Sequence, residues 1–150
     1  MSERVPFRIT VAAGSFVKRR ADGSVDYRSP LPCPFPYGEV PDTREADGDP
    51  IDVVVWGALP PPDADGLLRL PLQGAVDFRD DGRSDTKLVL GEAAPGRAGR
   101  LAILAFFATL AAAKRTRHRL RRRAPDDALL GWLDVDAARE RLRAARERQG

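Results

Sequence analysis

The stretch Asp47-Gly48-Asp49-Pro50-Ile51-Asp52-Val53-Val54-Val55 joins three closely spaced carboxylates to a run of β-branched residues that predicts a buried strand. Carboxylates packed this tightly repel one another and tend to protonate unless cations neutralise them. A divalent ion such as Mg²⁺ is the usual solution, because it prefers oxygen ligands. An EF-hand is excluded, since Ile51 stands where that loop needs an oxygen ligand. From this stretch alone, a metal site and a solvated acidic turn ahead of a strand stay equally open.

The composition of the chain indicates an ordinary globular protein. Its 150 residues are 43% apolar and 31% charged, which predicts one domain, residues 1–150, with a hydrophobic core. No apolar run approaches the roughly 20 residues of a spanning helix, and the N-terminus lacks the apolar core of a signal peptide. The single cysteine, Cys33, cannot form an internal disulfide and is interpreted as a small apolar filler. We therefore expect a cytoplasmic protein that does not enter a membrane.

The net charge of +3 is unevenly distributed along the chain. Residues 42–85 are acidic, whereas the basic residues concentrate after residue 113. Residues 114–123 form a basic segment that permits an arm for nucleic acid or for an acidic partner. This segment has no aromatic side chain on which a base could stack, so nucleic acid is the less favoured partner. His118, alone within the segment, is interpreted as a solvated residue and not as a metal ligand.

Many short strands followed by helices predict an α+β, mainly β fold with a small closed sheet. A largely buried helix is expected at residues 101–113, and a second helix from an N-cap at Asp136, with Ala138, Leu142 and Ala145 as its apolar stripe. The proline-rich residues 30–36 favour a rigid extended loop over a ligand for another protein. The predicted strands are residues 5–11, a hairpin of 16–20 and 25–28, a central strand at 51–56, one or two strands within 67–78 broken near Pro71, and 86–90.

A second acidic cluster, Asp80, Asp81 and Asp85, falls within residues 79–85, which are typical of a tight polar turn. Two carboxylate-rich turns at strand ends can face each other and hold more than one cation. Two-metal sites suit hydrolytic displacement at phosphorus, because one ion activates the attacking water and the others neutralise the leaving group. Candidate donors to phosphate oxygens are Lys18, Arg28, Tyr37 and Lys87.

The chain resembles the soluble family I inorganic pyrophosphatases. Residues 47–52 match the family's signature, an Asp-x-Asp-Pro-hydrophobic-Asp string, and residues 34–38 look like the segment that precedes it. Asp80 with residues 85–89 looks like the family's second acidic turn. Phe106-Phe107 is similar to the start of a family helix, and Gly131-Trp132 followed by Ala137-Ala138 is similar to its C-terminal helix.

This resemblance implies a five-stranded OB-like closed barrel with C-terminal helices packed outside, and Mg²⁺-dependent hydrolysis of inorganic pyrophosphate to two phosphates. It implies that Asp49 orients and deprotonates the attacking water, and that Asp52 bridges two metal ions. The implied metal ligands are Asp47, Asp52, Asp80 and Asp85, and the implied substrate-binding residues are Lys18, Arg28, Tyr37 and Lys87. Members of the family associate into oligomers, so a homo-oligomer is expected, with the apolar face of residues 101–110 as a possible contact.

The chain departs from the family at five positions. Thr10 and Arg20 stand where the family has glutamates, and Cys33 stands where it has a tyrosine. Leu110 and Ala111 replace a Tyr-Lys pair that contacts phosphate. Lys114 and Arg115 lie one helical turn further on, which leads to the hypothesis that they reach the substrate instead. An unchanged KM after substitution of both with Ala would contradict it.

The sequence is therefore interpreted as a cytoplasmic, Mg²⁺-dependent inorganic pyrophosphatase with a complete set of metal ligands and a reduced set of substrate contacts. One alternative is a non-catalytic protein of the same fold that binds metal or phosphate, or docks a partner through residues 114–123. The other is a hydrolase of an organic diphosphate, which would need extra room where the lost tyrosines stood.

Overall fold

The computed structural model describes residues 3–15, 17–20, 22–28, 31–121 and 127–150, with the backbone alone described for residues 26–28. The mainly β prediction with two helices is confirmed. Within these residues the elements are β1 (Arg4–Val11), β2 (Val17–Arg19), β3 (Val25–Arg28), β4 (Tyr37–Glu39), β5 (Asp52–Val55), β6 (Leu68–Asp80), β7 (Arg83–Leu90), α1 (Arg97–Leu120), β8 (Ala128–Leu133) and α2 (Val135–Gln149).

Six strands form one sheet in the order β1-β4-β5-β7-β6-β8, and β1 also pairs with β6. Among the described strands only β5 and β7 pair in parallel. The remaining strands, β2 and β3, form the predicted hairpin, of which Phe16 lies outside the described residues. The predicted proline-rich loop carries no strand over residues 31–36, and it is fixed against the start of the hairpin because Cys33 N donates to the Ser15 carbonyl at 3.1 Å.

The strand β5 lies between two hydrophobic clusters, which explains its continuous run of valines. Val53 and Val55 face a cluster that α2 covers with the predicted stripe Ala138, Leu142 and Ala145. Val54 faces the other cluster, to which α1 contributes Ile103 and Phe107. Side chains alternate between the two faces of a strand, so β5 is held from both sides. The residues at its start, where the carboxylates lie, are therefore rigidly positioned.

Two strand predictions need correction. The strand predicted to break near Pro71 is continuous from Leu68 to Asp80, and its register shifts later, between Leu72 and Gly74. Pro71 has no N–H to donate to the sheet, but its carbonyl accepts a hydrogen bond from Gly91 N at 3.1 Å. The predicted polar turn at residues 79–85 is much shorter, because strand pairing continues through Asp80 and resumes at Arg83. A two-residue turn, Asp81-Gly82, joins them with φ of 52° and 79°.

The C-terminal third also differs from its prediction. The strand β8 was missed, since Gly131-Trp132 resembled a helix, yet Trp132 pairs with Val76 of β6. The N-cap of α2 is Asp134 and not Asp136, because the Asp134 side chain accepts from Ala137 N at 2.8 Å.

The helix α1 runs further than predicted and is amphipathic. It is not largely buried, since Leu101 is 60% exposed while Ile103 and Phe107 are buried. It extends into the basic segment as far as Leu120, and His118 is buried there, with Nδ1 2.9 Å from Asp127 Oδ2. Among the described residues, neither helix combines the length and the apolar character needed to cross a membrane.

Candidate active site

A cavity of about 290 Å³ collects most of the charged residues singled out in the sequence. Its acidic lining comes from the loop before β5 and from β5, β6 and β7, and its basic lining from β2, β7 and α1. Tyr37 of β4 also lines it. The acidic residues are Asp47, Asp49, Asp52, Asp80 and Asp85, and the basic residues are Lys18, Lys87 and Lys114. The structure therefore brings together eight of the nine predicted site residues; the side chain of the ninth, Arg28, lies outside the described residues.

The loop that carries Asp47 and Asp49 is ordered by its own hydrogen bonds. Asp49 N donates to Asp47 Oδ1 at 2.9 Å, and Gly48 between them has a φ of 90°, which favours glycine. The buried Thr43 hydroxyl accepts from Ile51 N at 3.0 Å and donates to the Val40 carbonyl at 2.6 Å. These contacts close the loop against β5, so both carboxylates are presented to the cavity at a fixed place.

Lys87 lies between two buried carboxylates. The parallel pairing of β5 with β7 sets Asp52 opposite Lys87, and Asp85 lies two residues earlier on the same face of β7. The Lys87 Nζ atom lies 2.7 Å from Asp52 Oδ2 and 2.7 Å from Asp85 Oδ2. All three residues are buried. Lys18 Nζ adds a contact of 3.2 Å to Asp52 Oδ1.

The two carboxylates of this cluster have opposite pKa shifts. Burial raises the pKa of Asp52, but the ammonium groups of Lys87 and Lys18 outweigh it, so its pKa lies below the usual range. Burial raises the pKa of Asp85 to about 6, and the negative charge of Asp52 adds to this against the attraction of Lys87. The two ammonium groups therefore do not fully stabilise the ionised form of Asp85, and an added cation would stabilise that form further.

Tyr37 lies beside the lysine ammonium groups. Its ring centre is 5.6 Å from Lys87 Nζ and 6.0 Å from Lys18 Nζ. Burial raises the pKa of the Tyr37 phenol well above its ordinary value. The phenol therefore stays protonated near neutral pH and can donate a hydrogen bond.

Asp80 occupies another part of the cavity, at the end of β6. Its Oδ2 atom lies 3.0 Å from Lys114 Nζ. Burial opposes ionisation of Asp80, but the Lys114 ammonium outweighs it and lowers the pKa. Behind Asp80, the buried Asp127 accepts a hydrogen bond from Asp81 N at 3.1 Å, and burial together with the Asp80 contact raises the pKa of the Asp127 carboxyl.

Two acidic residues near the cavity were missed in the sequence. Burial raises the pKa of Glu45 to about 7, and Asp85 contributes to the shift. Its position two residues before Asp47, in the same acidic loop, was the available signal. No signal in the sequence pointed to Asp127, because it reaches Asp81 only through the pairing of β8 with β6.

The positions that depart from the family pattern fall into two groups. Cys33 and Leu110 line the cavity, and burial raises the pKa of the Cys33 thiol. Thr10 and Ala111 are buried, while Arg20 donates to the Val25 carbonyl at 2.9 Å. The two groups that were expected to compensate are separated as well: Lys114 lines the cavity, whereas Arg115 Nη1 donates to the Asp127 carbonyl at 2.7 Å.

Comparison with known proteins gives one consistent result. The sequence model described as "Pyrophosphatase: Inorganic pyrophosphatase" matches residues 17–149. An inorganic pyrophosphatase of Xylella fastidiosa (strain 9a5c) is 36% identical over 90 residues, 59% of this chain and 46% of the relative. One of Aquifex pyrophilus is 39% identical over 56 residues, 37% of this chain and 31% of the relative. The matched region thus spans less than half the length of these curated relatives.

Solved structures resemble the whole chain. The inorganic pyrophosphatase from Thermus thermophilus superposes with a TM-score of 0.75 at 25% identity, covering 98% of this chain and 91% of that one. The inorganic pyrophosphatase from Coxiella burnetii gives a TM-score of 0.70 at 24% identity, covering 99% and 96%. The second comparison bears on the fold alone.

Proposed function

Since the chain belongs to the inorganic pyrophosphatase family, we propose that it hydrolyses inorganic pyrophosphate to two phosphates. The observation that carries this proposal is the cavity in which five aspartates face three lysines. Carboxylates and ammonium groups in one recess are what phosphoryl transfer requires, since it depends mostly on positioning and charge stabilisation. Neither set alone would serve: carboxylates repel a phosphate, and lysines alone cannot take the proton of an attacking water.

The proposal includes Mg²⁺ as the cofactor, held by Asp47, Asp52, Asp80 and Asp85. The donor set fits a hard cation, because it consists of carboxylate oxygens whose charge exceeds that of the neighbouring lysines. Among the described residues no three His, Cys, Asp or Glu side chains are already gathered as a metal site, and Lys87 separates Asp52 from Asp85. When bound, divalent ions lower the pKa of a water nucleophile and neutralise the leaving phosphate.

The remaining roles belong to side chains of the cavity. Asp49 accepts the proton of the attacking water on its carboxylate. Lys18 and Lys87 bind phosphate oxygens through their ammonium groups, and the Tyr37 phenol donates to them. Arg28 is proposed as a further phosphate ligand. The protonated state of the lysines is secured by their carboxylate neighbours: Asp52 raises the pKa of Lys18, and for Lys87 the attraction of Asp52 and Asp85 outweighs the effect of burial.

The proposal extends to architecture and setting. The pairings β1–β4–β5–β7–β6 return to β1, which supports a closed five-stranded OB-like barrel with the helices packed outside. Both helices cover clusters of this one sheet, which supports a single domain over residues 1–150.

The exposed Leu101 on α1 supports a homo-oligomer contact. The free Cys33 supports a reducing, cytoplasmic setting.

The test is phosphate release from pyrophosphate in Mg²⁺ by the wild type and by Asp49→Asn, Asp52→Asn and Asp136→Asn. Asp136→Asn is the matched control, because this carboxylate is 91% exposed on α2. We expect Mg²⁺-dependent release that the control retains and that the Asp49 and Asp52 variants lose, by about 100-fold or more for removal of a general base. Circular dichroism of each variant separates loss of activity from loss of fold.

Two outcomes would contradict the proposal. Absence of release by a folded wild type that still binds Mg²⁺ would favour the non-catalytic alternative. Release that is equal in the wild type and in Asp49→Asn would refute the role of Asp49. Organic diphosphates should be assayed in parallel, because Cys33 and Leu110 give the cavity an apolar wall.

A further inference from the structure

We propose that Lys114 is a further substrate-binding residue, whose ammonium group binds a phosphate oxygen in the cavity. The proposal rests on the proposed function for the identity of the ligand. Lys114 is the lysine that α1 contributes to the cavity lining, alongside Lys18 from β2 and Lys87 from β7. Ammonium groups from three separate elements can contact different oxygens of one multiply charged anion.

The position of Lys114 requires an anionic partner. Its side chain is only 12% exposed, and its Nζ atom lies 5.9 Å from the centre of the Phe78 ring. A charge withdrawn from water to this extent is costly unless it is paired. Asp80, at 3.0 Å, provides that pairing in the structure.

The Lys114–Asp80 pair is better suited to exchange its partner than the Lys87 cluster. The side chain of Asp80 is 33% exposed, whereas those of Asp52 and Asp85 are 9% and 7% exposed. A pair that water can reach loses less when it opens than a fully buried one. Lys114 can therefore turn from Asp80 to an incoming phosphate, whereas Lys87 keeps its two carboxylate contacts and has one N–H left to offer the phosphate.

The neighbouring Arg115 does not share this position. As the next residue of the helix, Arg115 points in a different direction around the helix axis, and its Nη1 atom donates to the Asp127 carbonyl at 2.7 Å. It therefore ties α1 to the residue that precedes β8 and does not line the cavity. This contrast makes Arg115 the matched control, since it is a cation on the same helical turn with a different contact.

The experiment compares Lys114→Gln, Lys114→Arg and Arg115→Gln with the wild type. Binding of inorganic phosphate in Mg²⁺ is measured by calorimetry, and kcat and KM for pyrophosphate are measured separately. Lys114→Gln should weaken phosphate binding and raise KM by about 10- to 100-fold, the value of one charge-assisted hydrogen bond. Lys114→Arg keeps the positive charge and should therefore bind phosphate almost as tightly as the wild type. Arg115→Gln should bind phosphate like the wild type.

The outcomes separate this inference from the proposed function. If the wild type hydrolyses pyrophosphate but Lys114→Gln has unchanged phosphate affinity and KM, the role of Lys114 is refuted and the function stands. If the wild type binds phosphate without hydrolysing pyrophosphate, the function fails, and weaker binding by Lys114→Gln still supports the inference. If Arg115→Gln loses as much affinity as Lys114→Gln, the effect is not specific to the cavity and the inference fails. Thermal unfolding of each variant identifies any that lose affinity because they do not fold.

Discussion

Replacing Lys87 with Met should destabilise the protein severely, because it leaves Asp52 and Asp85 as neighbouring buried carboxylates. The ammonium group that is lost contacts each of them at 2.7 Å, and the two residues are only 6% and 5% exposed. Removing one partner from a buried ion pair costs about 3–5 kcal/mol of the free energy of unfolding. We expect a loss of this size at pH 8 in the absence of divalent cations.

The loss should become smaller as the pH falls. Loss of the Lys87 ammonium removes the attraction that lowers the pKa of Asp85, so the folded-state pKa of Asp85 lies further above that of the unfolded chain, while Lys18 remains 3.2 Å from Asp52. The folded state then binds more protons than the unfolded state, so stability falls as the pH rises through the folded-state pKa of Asp85 and recovers below it. The folded-state pKa of Asp85 is already raised, to about 6, while Lys87 is present. A comparison of pH 8 with pH 5 therefore covers the relevant range.

The assay is urea unfolding followed by tryptophan fluorescence in a chelating buffer. Arg139→Met is the control, because it removes a cation from an exposed pair with Asp136 and should leave the midpoint unchanged. The double variant Lys87→Met with Asp85→Asn should recover part of the loss, since it removes one of the orphaned charges. A decrease of less than about 1 kcal/mol for Lys87→Met at pH 8 would refute the reasoning, because that is the value of an exposed pair.

Two further predictions concern the sheet and the helix that position the site. Gly38→Ala should lower the melting temperature and displace Tyr37, since an added Cβ would lie 2.1 Å from the Arg8 carbonyl oxygen. Gly150→Ala is its control, because the nearest atom to an added Cβ there is the Glu147 carbonyl oxygen at 3.6 Å, an ordinary contact. Phe107→Ala should lower the free energy of unfolding by about 3–5 kcal/mol in urea, because the ring is fully buried against Phe78. Leu101→Ala on the exposed face of the same helix should have little effect, and equal losses for both would contradict the assigned orientation of α1.

The parts of the fold that local patterns determine could be predicted from the sequence. The uninterrupted run of valines in β5 predicts a buried strand. The helical spacing of Ala138, Leu142 and Ala145 predicts the buried stripe of α2. The hairpin of β2 and β3 was predicted from the turn chemistry between its strands. The clustering of the carboxylates in the acidic stretch before β5 could also be predicted, since these residues are adjacent in the chain.

The parts that depend on distant partners could not be predicted. The strand β8 is short and contains Gly131, so its extended form depends on pairing with β6 and not on its own sequence. The burial of His118 depends on Asp127, which approaches from a separate segment. Lys114 and Arg115 are neighbouring cations in the sequence, and only the rotation of α1 relative to the sheet places one at the cavity and the other against Asp127, the residue before β8.

The parallel pairing of β5 with β7 also has a consequence for how the chain acquires its site during folding. The hairpin of β6 and β7 closes through a two-residue turn and needs only local contacts, whereas Asp52 and Lys87 are 35 residues apart. Closing the longer loop carries the larger entropic cost, so contacts of this kind form later. The carboxylates of residues 47–52 therefore meet those of the hairpin only when β5 docks. In a refolding experiment, ligand binding should appear after most of the secondary structure has formed.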